Sequence, residues 1–517
     1  MASTRINSLP DSLYTADGVQ ALDRFLIEEK GVDGFGLMQQ AARAAFRQLL
    51  RRWPEPGRIV VLCGAGNNGG DGYLIAVNAL QHGLAAECLA LADPGRLSGD
   101  AGRACKAARD AGVPILRWAD LPVAELDALF DRANLFVDAL LGTGTRGAPR
   151  APFDEAIGRV NRQGRPVLAV DIPSGLNGTT GHGEAEVVKA TVTVTFIGMK
   201  TGLVTGKGPQ FCGDLVFDDL GTADDLASDP VPKAAQLVDW GRASGHLPVR
   251  SRVAHKGAFG HVVIVAGDRG FGGAGLLAAE AASRSGAGLV TLVTRPEHVA
   301  PMLARCPSVM VRGITHGNEL ADLLKVADTV VCGPGIGQQA WGQQMLQQVL
   351  AADCPRVLDA DALNLLSRRV PVVSEHQLIT PHPGEAARLL DTSVANIESD
   401  RLAAAEALRR RFGGVVLLKG AGTVIAAKDQ IPVIIAGANP GMATGGMGDV
   451  LSGICGALAG QLPDLAATAM VAASAHLAAA DLASESRGFM ALLPTDLMAA
   501  LPAVYAGAEQ LRPDSHR

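Results

Sequence analysis

From Arg58 onward the chain alternates short, continuous apolar runs with longer stretches in which apolar residues recur every three or four positions. "RIVVLC" leads through a glycine-rich turn into the helical pattern "YLIAVNALQHG". "AAECLALA", "LFVDALLG", "PVLAVDIPSG" and "ATVTVTFIG" follow, separated by polar or helical segments. Runs without polar alternation predict strands buried on both faces, and therefore a parallel sheet with helices on each side. Upstream, "LMQQAARAAFRQLLRR" carries a helical period and is expected to pack on that sheet.

The pattern stops in "GTADDLASDPVP", an acidic stretch with prolines from Gly221 to Pro232. A second series starts at "HVVIVAGD" and continues through "GLVTLVT", "ADTVVCGPGIG", "RVLDADALNLL", "QLITPHPGEAARLL" and "VVLLKGAGTVIAA". The two series share an architecture but no evident repeat. The expected fold is therefore α/β, with two three-layer α/β/α domains over residues 1–225 and 226–517. Several strands end in loops carrying Gly, Asp, His or Lys, and open α/β sheets bind ligands beyond the carboxyl ends of their strands.

Composition narrows the function. A length of 517 residues exceeds what one core serves well. With 48% hydrophobic and 19% charged residues the chain is expected to fold rather than remain disordered. Its net charge of −6 argues against a general nucleic-acid binder. The eight cysteines show no CxxC pair and no Cys/His ligand spacing, so buried free thiols in a reducing compartment are expected. The first residues lack a signal-type apolar core, and no run approaches ~18 uninterrupted apolar residues. The expectation is a cytoplasmic protein without a membrane or nucleic-acid partner.

Three strand-end loops in the first half carry chemistry. "CGAGNNGGDG", Cys63 to Gly72, joins a strand to a helix, where consecutive amides can hold an anion. It lacks the Lys of a P-loop and the spacing of a dinucleotide fingerprint, and a tight turn explains its glycines equally well. "VDALLGTGTRG" places Asp138 before a second glycine loop with Arg146, and "VDIPSGLNG" places Asp171 and Ser174 at the next strand end. In a parallel sheet all three rim one edge. Asn68, Asp138 and Ser174 could then offer oxygens to a hard cation.

The residues 67–71, Asp138 with the Gly-Thr-Gly loop, 171–175, and "FIGMKTGLVTGKGPQFCGDL" together resemble the N-terminal epimerase domain of the NAD(P)H-hydrate repair enzymes. The resemblance spans most of residues 10–220, with Leu141 where relatives often have Phe. It implies a Rossmann-like domain that interconverts the R and S forms of NADH or NADPH hydrate. It implies K+ bound by Asn68, Asp138 and Ser174. It implies hydrate contacts from Asn67, Asn68, Gly69, Gly70, Asp71, Gly142, Thr143, Gly144, Thr145, Arg146, Gly147, Ala148 and Asp171. Within that reaction Asp171 is expected to give and take the proton, with Lys200 positioning charge.

In the second half, "ATGGMGDVLSGICGALAG" offers a backbone nest at Gly445, Gly446 and Gly448, and an acid, Asp449, at the start of a helix. Asp449 could instead merely cap that helix. "LLKGAGT", Leu417 to Thr423, and "CGPGIG", Cys332 to Gly337, add a lysine and two glycine loops. His382, between two prolines, is expected in an extended segment at a strand end and facing ligand. "DADALNLL", Asp359 to Leu366, could bind metal or phosphate, or simply cap a helix. His255 and Lys256 could lie near the site or in an exposed loop. His476, in "SAHLAAAD", reads as structural or half-exposed.

These stretches, with "HKGAFGHVVIVAGD", "GGAGLLAAEAASRSGAGLVT", "TPHPGEAARLL" and "GGMGDVLSG", resemble the ribokinase-like superfamily and, within it, the NAD(P)H-hydrate dehydratases. The resemblance implies hydrate contacts from Ala274, Gly337, His382 and Asp449. It implies adenine-nucleotide contacts from Lys419, Gly420, Ala421, Gly422, Thr423 and Gly448. Mg2+ and ADP are the implied cofactor and co-substrate, ADP being favoured by the likeness to fused bacterial-type enzymes. A homo-oligomer is implied by the habit of relatives of both domains. A small-molecule kinase with a nucleotide-binding regulatory domain, and a non-catalytic scaffold, are the alternatives.

Overall fold

A computed structural model describes residues 9–144, 147–228 and 230–510. The chain divides into two compact units, Met1–Gln236 and Leu237–Arg517.

In the first unit the sheet order is Ile115–Arg117, Ala86–Ala90, Ile59–Cys63, Leu135–Ala139, Val167–Val170, Val192–Phe196 and Asp214–Asp218, all parallel. Successive residues of Ile59–Cys63 feed two different cores, as side-chain alternation requires. Ile59, Val61 and Cys63 pack with Leu37, Ala41 and Ala45 of helix Gly34–Arg52 and Ile75 of Asn67–Gln81. Val60 and Leu62 pack on the other face with Leu126, Phe130 and Ile157 of helices Val123–Arg132 and Phe153–Gln163. The order reverses between Ile59–Cys63 and Leu135–Ala139, and that switch point opens a crevice at the carboxyl ends of the strands. A short strand, Ser12–Tyr14, pairs in parallel with Met199–Lys200 and sets Tyr14 beside Lys200.

Within the second unit the order runs Met310–Gly313, Leu289–Thr294, His261–Val265, Thr329–Cys332, Arg356–Leu358, Gln377–Ile379 and Val415–Leu418, again parallel. Val424–Ala426 and Val433–Ile435 extend it antiparallel. One face is covered by helices Gly272–Arg284, Met447–Ala459, Leu465–Arg487 and Pro494–Gln510. Ala340–Leu350 and Arg401–Phe412 pack against Thr329–Cys332 and Val415–Leu418. The same reversal occurs between His261–Val265 and Thr329–Cys332.

Small residues let two of these helices meet closely. A Cβ at Gly453 would overlap the Ala278 carbonyl of the facing helix. Gly453→Ala is therefore expected to lower the stability of the second unit by about 1–3 kcal/mol, read from urea unfolding, because the facing backbone has nowhere to retreat. An unchanged midpoint would show that the helices can separate freely.

All eight cysteines are free thiols, seven buried and Cys354 half-buried. Among the described residues one helix, Leu465–Arg487, is long and apolar enough to cross a membrane, and 56% of its apolar window is buried inside the fold.

Candidate functional sites

The first site is a cavity of about 550 Å³ at the switch point of the first unit. Asn67, Asn68, Asp71, Gly142, Thr143, Gly144, Asp171 and Lys200 line it. Gly69 and Gly70 are buried in the same first helical turn, and a Cβ at Gly69 would strike the Gly64 carbonyl, so the tight approach of loop and helix demands glycine there. Gly147 and Ala148 are exposed and do not line the cavity. Thr145 and Arg146 lie outside the described residues.

Lys200 is fully buried, an expensive state for an ammonium unless it is paired. Its Nζ contacts the Asp171 carboxylate and donates to Thr195 Oγ1 at 2.9 Å and Phe196 O at 3.4 Å. Asp171 itself sits at φ 65°, a left-handed conformation costing a non-glycine residue about 1–3 kcal/mol. Its N–H donates to Val194 O at 2.7 Å, which holds it there. Asp71, buried behind this pair, has its pKa pushed well up by burial and by the Asp171 and Asp23 carboxyls, against the pull of Lys200.

Beside the cavity Asn68, Asp138 and Ser174 come together. Ser174 Oγ donates to Asp138 Oδ1 at 2.6 Å and its N–H to Oδ2 at 2.8 Å, while Leu141 N–H donates to Ser174 Oγ at 2.9 Å. Asn68 Nδ2 donates to Leu141 O at 2.9 Å, leaving Asn68 Oδ1 buried without a partner among the described residues. Asp138 is pushed up to about 6 by burial, opposed by its bonds from Ser174 and Leu140. An orphaned amide oxygen, a hydroxyl and a desolvated carboxyl that a positive charge would ionise form a donor set that fits a hard cation.

The second site lies at the carboxyl ends of the second unit's strands. Asp359, buried at the end of Arg356–Leu358, takes Lys419 Nζ on Oδ1 at 2.6 Å and Ser452 Oγ on Oδ2 at 2.7 Å. Glu385 lies 3.7 Å from the same ammonium. Burial would lower the Lys419 pKa, but Asp359 and Glu385 outweigh it and the net direction is upward. Glu385 is pushed up to about 7, by burial first.

Gly446, at φ 95°, caps helix Met447–Ala459, so Asp449 stands in the helix's first turn and is not its cap. Burial, then the Asp359 charge, push its carboxyl up to about 7, against the pull of Lys419. A carboxyl near neutrality, in the first turn of a helix and near the half-buried Lys419 ammonium, can take a proton while an anion is held. Gly448 leaves room at the same point, since a Cβ there would meet Asp359 Oδ2 and Lys419 Nζ at 3.4 Å each.

The loop after Thr329–Cys332 carries Gly335 and Gly337. Gly335 packs against Phe271 and Ala274, and Gly337 N–H donates to Asp361 Oδ2 at 3.0 Å. His382 has the extended backbone expected of it, but its ring caps helix Pro383–Leu390, Nδ1 accepting from Gly384 N–H at 3.0 Å. Burial, then Lys419 and Arg388, lower its pKa, and the ring is half-exposed at the edge of the site. In the loop of residues 419–423 Thr423 Oγ1 donates to Gly420 O at 3.0 Å, and Gly422 N–H donates to Gly437 O at 3.2 Å, with Ala421 between them.

Two further histidines are sorted by position. His255 and Lys256 are exposed and precede the amino end of His261–Val265, the edge of the sheet away from the site. His476 is buried, its pKa pushed down to about 4 by burial and by Lys419, against a raising bond at Met447.

Sequence reasoning missed the supports. Arg401, buried, donates to the carbonyls of Leu418 and Lys419 at 3.2 and 2.9 Å and so fixes the start of the 419–423 loop from behind. Glu385 was legible only as the fourth residue of a capping pattern. Asp23, on the cavity wall of the first site, gave no signal at all.

Comparison with known proteins agrees with two sites on two folds. A family model described as NAD(P)H-hydrate dehydratase matches residues 262–503, and one described as YjeF-related protein N-terminus matches residues 34–202. The chain is 43% identical over 485 residues to the bifunctional NAD(P)H-hydrate repair enzyme Nnr of Coxiella burnetii, covering 94% of this chain and 97% of that protein. It is 43% identical over 502 residues to the enzyme of the same name from Escherichia coli, covering 96% and 94%. Among solved structures, ADP/ATP-dependent NAD(P)H-hydrate dehydratase from Bacillus subtilis, co-crystallised with ATP/Mg2+, is 28% identical with a TM-score of 0.48, covering 52% of this chain and 97% of that one.

Proposed function

The chain belongs to the bifunctional NAD(P)H-hydrate repair enzymes, and from that premise we propose how its two sites divide the work. Residues 1–225 epimerise the R and S forms of NADH or NADPH hydrate. Residues 226–517 dehydrate the S form at the expense of ADP, giving AMP and phosphate. The observation that carries the reading is Asp449, a carboxyl pushed up to about 7 in the first turn of a helix entered through a glycine nest.

Hydroxide leaves carbon poorly, whereas phosphate leaves well. With Asp449 taking the proton of the C6 hydroxyl, its oxygen attacks the terminal phosphoryl group of ADP. Phosphate then departs from C6 under the push of ring N1, leaving an iminium, and loss of a C5 proton to water restores the dihydropyridine. The amides of residues 445–448 and Lys419 face the charge that moves, and such transfers depend chiefly on positioning and charge neutralisation. His382, Gly337 and Ala274 bind the hydrate, and Lys419–Thr423 with Gly448 bind the adenine nucleotide.

Mg2+ suits this donor set. Asp359, Asp361 and Glu385 offer carboxylate oxygens, and no ready-made group of three His, Cys, Asp or Glu ligands exists among the described residues. An ion held there would share its shell with phosphate and water and would neutralise phosphate charge.

In the first site the lone pair of ring N1 expels the C6 hydroxyl, leaving an iminium that water re-attacks from either face. Asp171 supplies and recovers the proton, and Lys200 holds that carboxylate. Asn68, Asp138 and Ser174 would hold K+, whose charge would favour the ionised form of the Asp138 carboxyl. KCl is then expected to raise the melting temperature of the full chain more than equal NaCl does. An ion at about 100 times its Kd contributes about 2.7 kcal/mol. Asn68→Ala should erase the difference; a K+ effect surviving in that variant would move the ion elsewhere. The same reading includes a homo-oligomeric, cytoplasmic enzyme.

The whole assignment is tested by incubating mixed R and S NADH hydrate with the protein, ADP and Mg2+. Full recovery of NADH with one phosphate per NADH is the expected result. Accumulation of a stable phosphorylated product would restore the kinase alternative, and recovery stalling at the S fraction would leave the first site without its activity.

A further inference from the structure

Inversion at C6 poses a problem that one carboxyl does not solve. The hydroxyl leaves from one face of the ring and water arrives on the other. A proton must be given on the first face and taken on the second, and a carboxyl held rigidly beside the ring reaches one face only. Asp171 is held rigidly, by the Lys200 ammonium and by its left-handed backbone.

Resting on the epimerase reading above, we propose that Asp23 is the second acid–base residue of the first site, serving the ring face that Asp171 does not. Asp23 reaches the cavity from a different element, helix Ala16–Arg24, whereas Asp171 ends strand Val167–Val170. Val19, Asp23 and Ile27, spaced four residues apart on one helical stripe, all line the cavity. The helix is anchored there: Thr15 caps it, Ala16 N–H donates to Thr179 Oγ1 at 2.9 Å, and Leu22 is buried at its back.

The other acids on the wall are committed. Asp171 pairs with Lys200, Asp100 pairs with Arg103 at 2.9 Å, and Asp71 is buried, with its carboxyl pushed well up by that burial. Among the described residues no hydrogen bond or ion pair engages the Asp23 carboxyl. The charged groups facing it are Lys200, Asp171, Asp71 and Arg24. Burial raises it, Lys200 lowers it, Asp171 raises it and Arg24 lowers it, with a balance at about 6. Both protonation states are therefore accessible near neutral pH, as a group that must donate and accept requires.

The step balances. Protonated Asp23 gives its proton to the departing hydroxyl as the C6–O bond breaks, and the N1 lone pair forms the N1=C6 double bond. Water adds on the opposite face, the double-bond pair returns to N1, and the Asp171 carboxylate takes the released proton. The opposite epimer runs the same exchange in reverse, and proton transfer with solvent resets the pair.

The test uses the full-length chain without ADP, each purified epimer of NADH hydrate, and oxygen-18 water. It follows inversion and hydroxyl-oxygen exchange separately, with the spontaneous rate subtracted. In Asp23→Asn, inversion is expected to fall about 10²-fold or more, while exchange with retention persists within about tenfold in one epimer, on the face Asp171 still serves. Asp23→Glu should restore part of the inversion. Inversion in Asp23→Asn within about threefold of wild type would overturn the proposal, as would inversion and exchange falling together, the mark of a merely structural effect. A wild-type protein that does not invert would overturn the epimerase reading instead.

Discussion

Asp449→Asn is expected to lower ADP-dependent dehydration by about 10³-fold while leaving epimerisation at its wild-type rate. Asparagine matches aspartate in shape, so helix Met447–Ala459 and its glycine turn persist, and only the proton acceptor is lost. The pH profile adds a second readout. The carboxyl titrates at about 7 in the folded protein, and only its ionised form takes a proton. Dehydration should therefore rise with pH, by about tenfold per unit below that value, and level off above it. The variant should lose that limb. Turnover within about tenfold of wild type, or an unchanged pH limb, would remove Asp449 from the proton-taking role.

Asp171→Asn should have its effect in the other unit, where a loss of about 10²–10⁴-fold in epimerisation is expected. With mixed hydrate, ADP and Mg2+, NADH recovery should then stop at the S fraction plus whatever epimerises spontaneously. This substitution also strips a buried ammonium of its counter-ion, and breaking such a pair typically costs about 3–5 kcal/mol. Stability and catalysis are separated by the double variant Asp171→Asn with Lys200→Met, which removes both charges. It should recover much of the melting temperature and none of the epimerisation. If the double variant regained activity, the role of Asp171 would be to neutralise Lys200 and nothing more.

The pattern of apolar runs made much of this legible. Each run quoted as a strand, from "RIVVLC" to "VVLLKGAGTVIAA", contains an observed parallel strand, and the loops named for chemistry do stand at carboxyl ends. Glycine loops are readable because few residues besides glycine tolerate the backbone they need. His382 was read correctly as extended, yet its ring spends one nitrogen on capping the next helix. His255 and Lys256 fell beside a strand in sequence but at its amino end in space. Nothing local could mark Arg401, whose work is done on carbonyls 17 and 18 residues away.

The sequence by itself determined that there are two α/β sheets, where their ligand-facing loops lie, and which residue types those loops present. Strand burial and turn conformation are local consequences of side-chain shape and polarity, so they can be read along the chain. What only the tertiary structure decided is the charge state of the chemistry. Lys419 meets Asp359 across 60 residues, Lys200 meets Asp171 across 29, and Asp23 enters the same cavity from a helix far upstream. Ionisation follows from burial and from distances between charges, and those exist only once the sheets have brought separate loops to one edge.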